Sequence, residues 1–354
     1  MIPKSEFRNP KYKEMIGFAR KTLGLSESIP IEISQLKGRG SDRTFFRLKW
    51  KHNDSAILVD YNPIRVENIY YADIAAFLHD INIPAPHLIC HDPARCLIII
   101  EDLGDTDLWS LRKTLWENRR TLYQKTLTMI HRLHSFPEKN FPSDRVLLME
   151  SFGPDLYRWE QDYFREHFIR DVCGIKLEHS FERDLEAELY MLAERLSGTI
   201  RCLVHRDLQS QNVMIHDGEP FFIDFQGMRF GSPFYDLGSL LCDPYVDFSE
   251  KEQNELLFFY FNLWSSKGSS MNKTKEWKCD YDWITFQNTF WEASAQRLMQ
   301  ALGAYGFLGL KKELKVYLEH IPSGLRNLQL AVSHVASLPR LRDLCQECQR
   351  VIEK

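Results

Sequence analysis

The feature that most constrains the fold is a change of sequence pattern about one hundred residues from the N-terminus. Before that point, short strand-like runs at 31–37, 44–50 and Ser55–Asp60 are separated by turns that contain Gly or Asn. Such turns commonly join neighbouring antiparallel strands. A helical pattern at 67–80 and a buried strand at 97–100 follow. The sequence therefore predicts a small antiparallel sheet with one internal helix.

The rest of the chain is mainly helical in pattern. Apolar residues recur at helical spacing in 108–134, 155–168, 181–196, 251–265, 283–302 and 311–320. The C-terminal residues, which include Cys345 and Cys348, also predict an amphipathic helix. One strand-rich interruption lies at 202–224. We therefore predict an α+β protein of two lobes, a small sheet lobe at 1–102 and a large helical lobe at 103–354.

The composition excludes several classes of protein. Hydrophobic residues make up 44% of the 354 residues and charged residues 27%, which is typical of a folded globular chain. A net charge of −4 argues against sequence-independent nucleic-acid binding, which requires a broadly basic surface. No apolar run approaches the roughly 20 residues needed to cross a bilayer, and the N-terminus lacks the apolar core of a signal peptide. We expect a cytoplasmic monomer without nucleic-acid or membrane partners.

The strand-rich interruption carries the residues that point to chemistry. Asn212 follows Asp207 by five positions, and Asp224 follows it by seventeen, at the end of an apolar strand. Phosphoryl transfer to a hydroxyl needs a carboxylate beside the attacking oxygen and oxygen ligands that hold magnesium on the nucleotide phosphates. Each residue alone is also common in turns and caps, but the joint pattern with His205 favours a phosphotransferase site.

These motifs resemble a known family. The stretch HRDLQSQNVMI…FFIDFQG is similar to the aminoglycoside phosphotransferase and choline kinase-like family, within the protein-kinase-like superfamily. GRGSDRTFFRL resembles its nucleotide loop, LIIIEDLG its hinge and GSPFYDLGSLLCDPYV the segment after its metal-binding Asp. SAQRLMQALGAYGFL is similar to bacterial kinases that phosphorylate the anomeric hydroxyl of N-acetylmuramate and N-acetylglucosamine. The resemblance implies a two-lobed protein-kinase-like fold and the use of ATP and Mg²⁺.

The resemblance also implies roles for individual residues. Asp207 corresponds to the catalytic base, and Asn212 and Asp224 correspond to the magnesium ligands. The hinge, at 100–103, implies that adenine lies against the backbone near Glu101 and Leu103. Three small residues are implied to lie over the phosphates: Gly38, Gly40 and Ser41.

One part of the kinase pattern is missing. The third strand, Ser55–Asp60, carries no Lys to pair with the phosphates. Arg43 and Arg47 are the nearby cations that could replace it, although either could also be an ordinary strand arginine in solvent. Gln226 and Gly227 follow Phe225 where protein kinases have Asp-Phe-Gly, and no Ala-Pro-Glu motif is present, which argues against protein substrates.

Candidates for the acceptor site are less specific. Glu160 lies on a predicted helix face with aromatic neighbours, where rings could stack on a sugar and the carboxylate could hold its hydroxyls; ordinary helix packing explains the same pattern. Arg297 resembles a substrate-side residue of the amino-sugar kinases. Asp236 resembles the family's structural Asp that ties the helical lobe to the catalytic loop.

The sequence thus favours an ATP- and magnesium-dependent kinase of a small molecule. The preferred acceptor is the anomeric hydroxyl of an N-acetylated amino sugar. An aminoglycoside, choline or another small alcohol is the alternative within the same enzyme class. A nucleotide-binding, pseudokinase-like regulator is the alternative from another class; the missing strand Lys favours it, whereas Asp207, Asn212 and Asp224 favour the enzyme.

Overall fold

The computed structural model describes residues 10–36, 43–51, 54–265 and 281–353. Within these ranges the N-terminal lobe contains a five-stranded antiparallel sheet in the order β1-β2-β3-β5-β4. Its strands are β1 (Glu32–Gln35), β2 (Thr44–Lys49), β3 (Ser55–Asp60), β4 (Leu88–Asp92) and β5 (Leu97–Glu101). Two helices accompany the sheet, α1 (Pro10–Leu23) and α2 (Val66–Asp80).

The two faces of the sheet pack against different partners because side chains alternate along each strand. Phe46 and Leu48 of β2 belong to a small core with Met15 and Ala19 of α1. Phe45 faces the other way and packs against the main core, which includes α2 and the helical lobe. The face opposite α1, here called the inner face, is therefore the one that meets the C-terminal lobe.

The C-terminal lobe consists mainly of helices that pack around one largely buried helix. The helices are α3 (Trp116–His134), α4 (Pro154–Phe164), α5 (His179–Ser197), α6 (Pro233–Leu241), α7 (Glu250–Ser265), α8 (Trp283–Gly306), α9 (Ile321–Ser333) and α10 (Pro339–Ile352). Most of α8 is buried, and it packs against α4, α6 and α9. A Cβ atom on Gly306 would lie 2.1 Å from the carbonyl oxygen of His167, so only glycine allows this approach.

Two short strand pairs lie between α5 and α6 in the chain. The strand β6 (Cys202–Val204) pairs with β9 (Arg229–Gly231), and β7 (Val213–His216) forms a hairpin with β8 (Glu219–Phe222). Single turns of 3₁₀ helix, Ser210–Asn212 and Phe225–Gly227, connect them. The loops between these strands carry Asp207, Asn212 and Asp224.

The structure confirms the predicted α+β architecture, with a small antiparallel sheet followed by a large helical part, and corrects several elements. The helix predicted at 108–134 begins only at Trp116, because the preceding residues form turns. In place of the helix predicted at 311–320, a π-helical segment, Phe307–Lys311, ends at the first residue of that range, and a 3₁₀ helix, Lys315–His320, follows. The lobe boundary between residues 102 and 103 remains a prediction. In the described ranges, no helix has both the length and the apolar character needed to cross a membrane.

Candidate active site

A buried carboxylate on α6 fixes the backbone of the loop that carries Asp207. Asp236 is fully buried, and its two oxygens accept hydrogen bonds from the backbone nitrogens of His205, at 2.7 Å, and Arg206, at 2.8 Å. His134 Nε2 lies 3.0 Å from the same carboxylate. Arg206 has a left-handed φ of 79°, which is unfavourable for a residue with a side chain. The Asp236 contacts therefore fix a loop conformation that the backbone alone would not favour.

Asp207 lies among arginine side chains. The Arg206 guanidinium forms an ion pair with Oδ2, and Arg297 Nη2 lies 3.4 Å from Oδ1. Asn212 Nδ2 donates a 2.9 Å hydrogen bond to the Asp207 carbonyl oxygen. Burial alone would raise the pKa of the Asp207 carboxyl, but the two guanidinium groups hold it below its ordinary value. Asp207 is therefore an ionised carboxylate at neutral pH.

Asp224 begins the turn after β8 and has a left-handed φ of 63°. Its Oδ1 forms an ion pair with Arg43 and accepts a 2.9 Å hydrogen bond from Gln226 Nε2. Arg43 Nη1 in turn donates to Gln226 Oε1 at 2.8 Å. Burial would raise the pKa of Asp224, but the Arg43 charge and the hydrogen bonds lower it overall. A second ionised carboxylate therefore lies in this region.

The donor set fits a magnesium ion held together with a phosphate. The negative charge of Asp224 acts on Asp207, so the two carboxylates share one electrostatic environment. Carboxylate and amide oxygens are the hard ligands that Mg²⁺ prefers, and protein sites usually leave the other positions to phosphates and water. Among the described residues, no group of three or more acidic, His or Cys side chains could hold a metal alone. The carboxylate of Asp224 and the amide oxygen of Asn212 suit a site that a nucleotide completes.

Only some of the predicted nucleotide-binding residues lie within the part of the chain that the structure describes. Three of them lie outside the described residues: Gly38, Gly40 and Ser41. Glu101 ends β5, and its Oε2 accepts a 3.1 Å hydrogen bond from the His87 backbone. Leu103 is buried, and its carbonyl oxygen lies 3.3 Å from His216 Nδ1 of β7. The backbone near Leu103 thus connects the two lobes.

The two candidate cations occupy different places. Arg43 lies against Asp224, at the predicted metal site. Arg47 instead forms ion pairs with Asp102 and Asp105, in the segment after β5. Of these two arginines, Arg43 is the one positioned to meet a phosphate beside Asp224.

The predicted acceptor residues are both buried in the lobe. Glu160 is 1% exposed; its oxygens accept hydrogen bonds from the Tyr235 hydroxyl, at 2.7 Å, and Gln296 Nε2, at 3.1 Å. Burial raises the pKa of this carboxyl. Arg297 reaches Asp207 and also donates to Ser239 Oγ at 2.6 Å. Substrate contacts by Glu160 and Arg297 stay predictions.

Sequence reasoning missed one buried acid that supports the loop. Asp243 accepts hydrogen bonds from Ser210 N, at 2.7 Å, and Ser210 Oγ, at 2.5 Å, next to the turn that carries Asn212. The available signal in the sequence was that Asp243, a charged residue, lies two positions after the mostly apolar helix α6. Such a residue needs a buried partner, which the sequence alone does not identify.

Comparisons with known proteins decide the family. The profile of the "Phosphotransferase enzyme family" matches residues 32–270 of this chain. The chain belongs to this family. A similar protein from Neisseria meningitidis serogroup B, named N-acetylmuramate/N-acetylglucosamine kinase, is 23% identical over 305 residues, covering 86% of this chain and 87% of that protein. A protein of the same name from Pseudomonas aeruginosa is 21% identical, with 91% and 90% covered.

Solved structures agree on the fold. A choline kinase from Cryptosporidium parvum Iowa II has a TM-score of 0.60 at 14% identity, covering 95% of this chain and 99% of that one. An ADP-bound aminoglycoside phosphotransferase has a TM-score of 0.58 at 16% identity, covering 91% and 99%. At such identities the likeness concerns the fold. Together with the family membership and the kinase-named relatives, it identifies a small-molecule kinase.

Proposed function

We propose that this family member is an ATP- and magnesium-dependent kinase of the anomeric hydroxyl of an N-acetylated amino sugar. The relatives named N-acetylmuramate/N-acetylglucosamine kinase support the acceptor class, because they align over most of both chains. Free thiols at all cysteines in the described ranges suit a reducing cytoplasm, where we place the enzyme as a monomer.

The observation that carries the kinase chemistry is the pair of ionised carboxylates. In the proposed reaction, Asp207 orients the acceptor hydroxyl and accepts its proton, because its carboxylate is charged and held on a fixed loop. Asn212 and Asp224 would hold magnesium, which would supply charge neutralisation at the phosphates. Arg43 adds a positive charge beside Asp224.

The remaining nucleotide contacts are proposed on the family pattern. The backbone from Glu101 to Leu103 binds adenine between the lobes, and three small residues cover the phosphates: Gly38, Gly40 and Ser41. Small side chains let backbone N–H groups approach an anion closely. The residues from 1 to 102 would then form the nucleotide-binding lobe.

The charges around Asp207 favour a neutral or anionic acceptor over a cationic one. Arg206 and Arg297 contact the Asp207 carboxylate, and the charge of Arg229 also acts on Arg206. Glu160 of α4 is buried and already accepts hydrogen bonds from Tyr235 and Gln296. Choline and aminoglycosides carry ammonium groups, which like-charge repulsion would disfavour beside these guanidinium groups.

The proposal is tested with a panel of acceptors and a radiometric or coupled transfer assay. N-acetylglucosamine and N-acetylmuramate are expected to be phosphorylated. Their 1-O-methyl glycosides are not, because methylation removes the only hydroxyl that this mechanism activates. Phosphorus–proton coupling in the product would place the phosphate on carbon 1. Transfer to kanamycin or choline with none to the free sugars would refute the acceptor class and leave the kinase assignment intact.

An Asp207→Asn variant tests the mechanism itself. It keeps the size and hydrogen bonding of the side chain but removes the proton acceptor, so kcat should fall by a factor of roughly 10² or more. The dissociation constant for MgATP should stay close to that of the wild type, because Asp207 faces the acceptor. Normal turnover by a folded variant would remove Asp207 from this role. Wild-type MgATP binding without transfer to any sugar, aminoglycoside or amino alcohol would support a nucleotide-binding regulator.

A further inference from the structure

Arg47 points from the middle of β2 toward the connection between the lobes. Alternation along β2 puts Arg47 on the inner face with Phe45, whereas Phe46 and Leu48 face α1. Arg47 lies opposite Ile57 of β3, which in turn pairs with β5. The side chain therefore spans β3 and reaches the segment that follows β5, residues 102–105, here called the hinge turn.

The guanidinium group of Arg47 makes contacts with three residues of the hinge turn. Its Nη2 donates a 3.0 Å hydrogen bond to Asp102 Oδ1. Its Nε lies 2.8 Å from Asp102 Oδ2, a close ion-pair distance without the geometry of a second hydrogen bond. Nη1 lies 2.7 Å from Asp105 Oδ1, and Nη2 donates to the Gly104 carbonyl oxygen at 2.9 Å. The side chains of Arg47 and Asp102 are 11% and 6% exposed, so water screens this pair weakly.

The hinge turn is also fixed from within and from the other lobe. Asp102 Oδ1 accepts a 3.1 Å hydrogen bond from the Gly104 backbone nitrogen, and Gly104 has a left-handed φ of 83° that glycine adopts without strain. Leu103 is the residue between Asp102 and Gly104, and its carbonyl oxygen contacts His216 of the helical lobe. Arg47 thus connects the sheet to a turn that is already bonded to β7.

Arg47 keeps its charge in this partly buried position. Burial alone would lower the pKa of Arg47, but the carboxylates of Asp105 and Asp102 raise it above its ordinary value. The guanidinium donates to Asp102, Asp105 and the Gly104 carbonyl at the same time, from nitrogens held in one plane, a geometry that the point charge of lysine lacks. These contacts are therefore specific for arginine, and two carboxylates of the hinge turn balance its charge.

We propose that Arg47 and Asp102 form a clamp that holds the hinge turn, and with it the backbone from Glu101 to Leu103, in the conformation that binds the nucleotide base. Arg47 is then a positioning residue for the nucleotide, and the phosphate-binding cation is Arg43. The inference rests on the proposed ATP-dependent function. Recognition of a base by backbone groups requires a fixed backbone, and a loop that is ordered before binding saves the entropy of ordering it afterwards.

The test compares nucleotide binding with turnover in the full chain. Arg47→Met keeps the apolar stem of the side chain but removes the guanidinium group, and Asp102→Asn keeps the size but removes the charge. Loss of a charged hydrogen-bonded pair should raise the Kd for MgATP, measured by calorimetry, about tenfold. The KM for ATP should rise with it, whereas kcat at saturating ATP stays within about twofold, since only binding is affected.

A double-variant comparison and a matched control complete the design. Arg47→Met combined with Asp102→Asn should bind MgATP about as weakly as either single variant, because the two residues act as one unit. Arg95→Met is the control: Arg95 also pairs with two carboxylates in the sheet lobe, Asp92 and Glu14, but is 51% exposed and lies on the β4–β5 turn. Its Kd for MgATP should equal that of the wild type.

The outcomes separate this inference from the proposed function. A wild-type protein that does not bind MgATP would overturn both. Tight MgATP binding by the wild type and equally tight binding by Arg47→Met would overturn the clamp alone. A loss of kcat at saturating ATP with unchanged Kd would make Arg47 a phosphate-binding cation and would also overturn the clamp. If Arg47→Met does not fold in a thermal melt, Arg47→Lys takes its place, because it keeps the charge without the planar guanidinium group and should still weaken binding.

Discussion

Replacing Asp236 by Ala removes the acceptor that fixes the catalytic loop. Three buried donors lose their partner: the backbone nitrogens of His205 and Arg206 and the Nε2 of His134. A hydrogen bond to a charged group contributes about 1.5–3 kcal/mol, which sets an upper limit of about 9 kcal/mol. Such bonds are not additive, and removing one partner of a buried charged network typically costs about 3–5 kcal/mol. We expect a loss of that size.

The loss should be measurable both in stability and in turnover. Total stabilities are about 5–15 kcal/mol, so the variant should fold but unfold at much lower urea concentration. Displacement of the loop moves Asp207, and a misplacement of about 1 Å can lower kcat by roughly 10². Asp236→Asn keeps one acceptor oxygen and should lie between the wild type and the Ala variant in both measurements.

A control separates the loop contacts from the wider network. Tyr260→Phe removes the hydroxyl that lies 2.6 Å from His134 Nδ1 and leaves Asp236 in place. It should cost about 0.5–1.5 kcal/mol, with kcat nearly unchanged. A folded Asp236→Ala variant whose stability and kcat both match those of Tyr260→Phe would refute this account of the loop.

Three further predictions concern other parts of the molecule. Asp224→Ala should weaken MgATP binding and abolish transfer together, and a thermal melt must show that it folds; unchanged MgATP affinity would make Asp224 structural. Arg43→Met should lower kcat by roughly 10², because a positive charge is lost at the phosphates, and a wild-type kcat would exclude that role. Gly306→Ala should destabilise the protein by about 1–3 kcal/mol, because the added Cβ would meet the His167 carbonyl at 2.1 Å. Gly17→Ala on α1, with no neighbour within 4 Å, should instead stabilise it by about 0.5–1 kcal/mol in the same melt.

The sheet lobe was the easier part to predict from the sequence. The predicted strand Ser55–Asp60 matches β3 at both ends, and the helix predicted at 67–80 begins one residue later than α2 does. In both segments an uninterrupted apolar pattern ends at polar or turn residues. The strand Leu88–Asp92 was missed, because its residues are only partly buried and give no clear alternation.

In the helical lobe, the local sequence pattern does not predict every element correctly. Pro233–Leu241 is buried along its whole length, so no solvent-exposed face marks a helical period in its sequence. The segment at 311–320 has apolar residues at helical spacing, yet it contains only the last residue of a π-helical segment and a 3₁₀ helix, Lys315–His320. None of its residues is buried, so the apolar spacing does not mark a packed helix face.

Within the candidate site, the structure brings together the residues that lie close in the chain, whereas their roles stay predictions. Asp207, Asn212 and Asp224 belong to one loop system, and their spacing was enough to group them. Arg43 and Arg47 share the inner face of the sheet, so alternation could not separate them. They are four residues apart, about 13 Å along a strand, and this distance places one at Asp224 and the other at the hinge turn.

The fold cannot decide among acceptors, because its structural neighbours include both a choline kinase and an aminoglycoside phosphotransferase at nearly equal TM-scores of 0.60 and 0.58. Under the proposed function, specificity therefore depends on the side chains near Asp207, the residue proposed to orient the acceptor hydroxyl. The overall charge of −4 does not describe that place, because Arg206 and Arg297 both contact Asp207 there. A cationic acceptor would have to displace these guanidinium groups or be surrounded by carboxylates, and Glu160 is already bonded to Tyr235 and Gln296. These charges therefore support the uncharged or acidic sugar of the proposed function over a cationic acceptor.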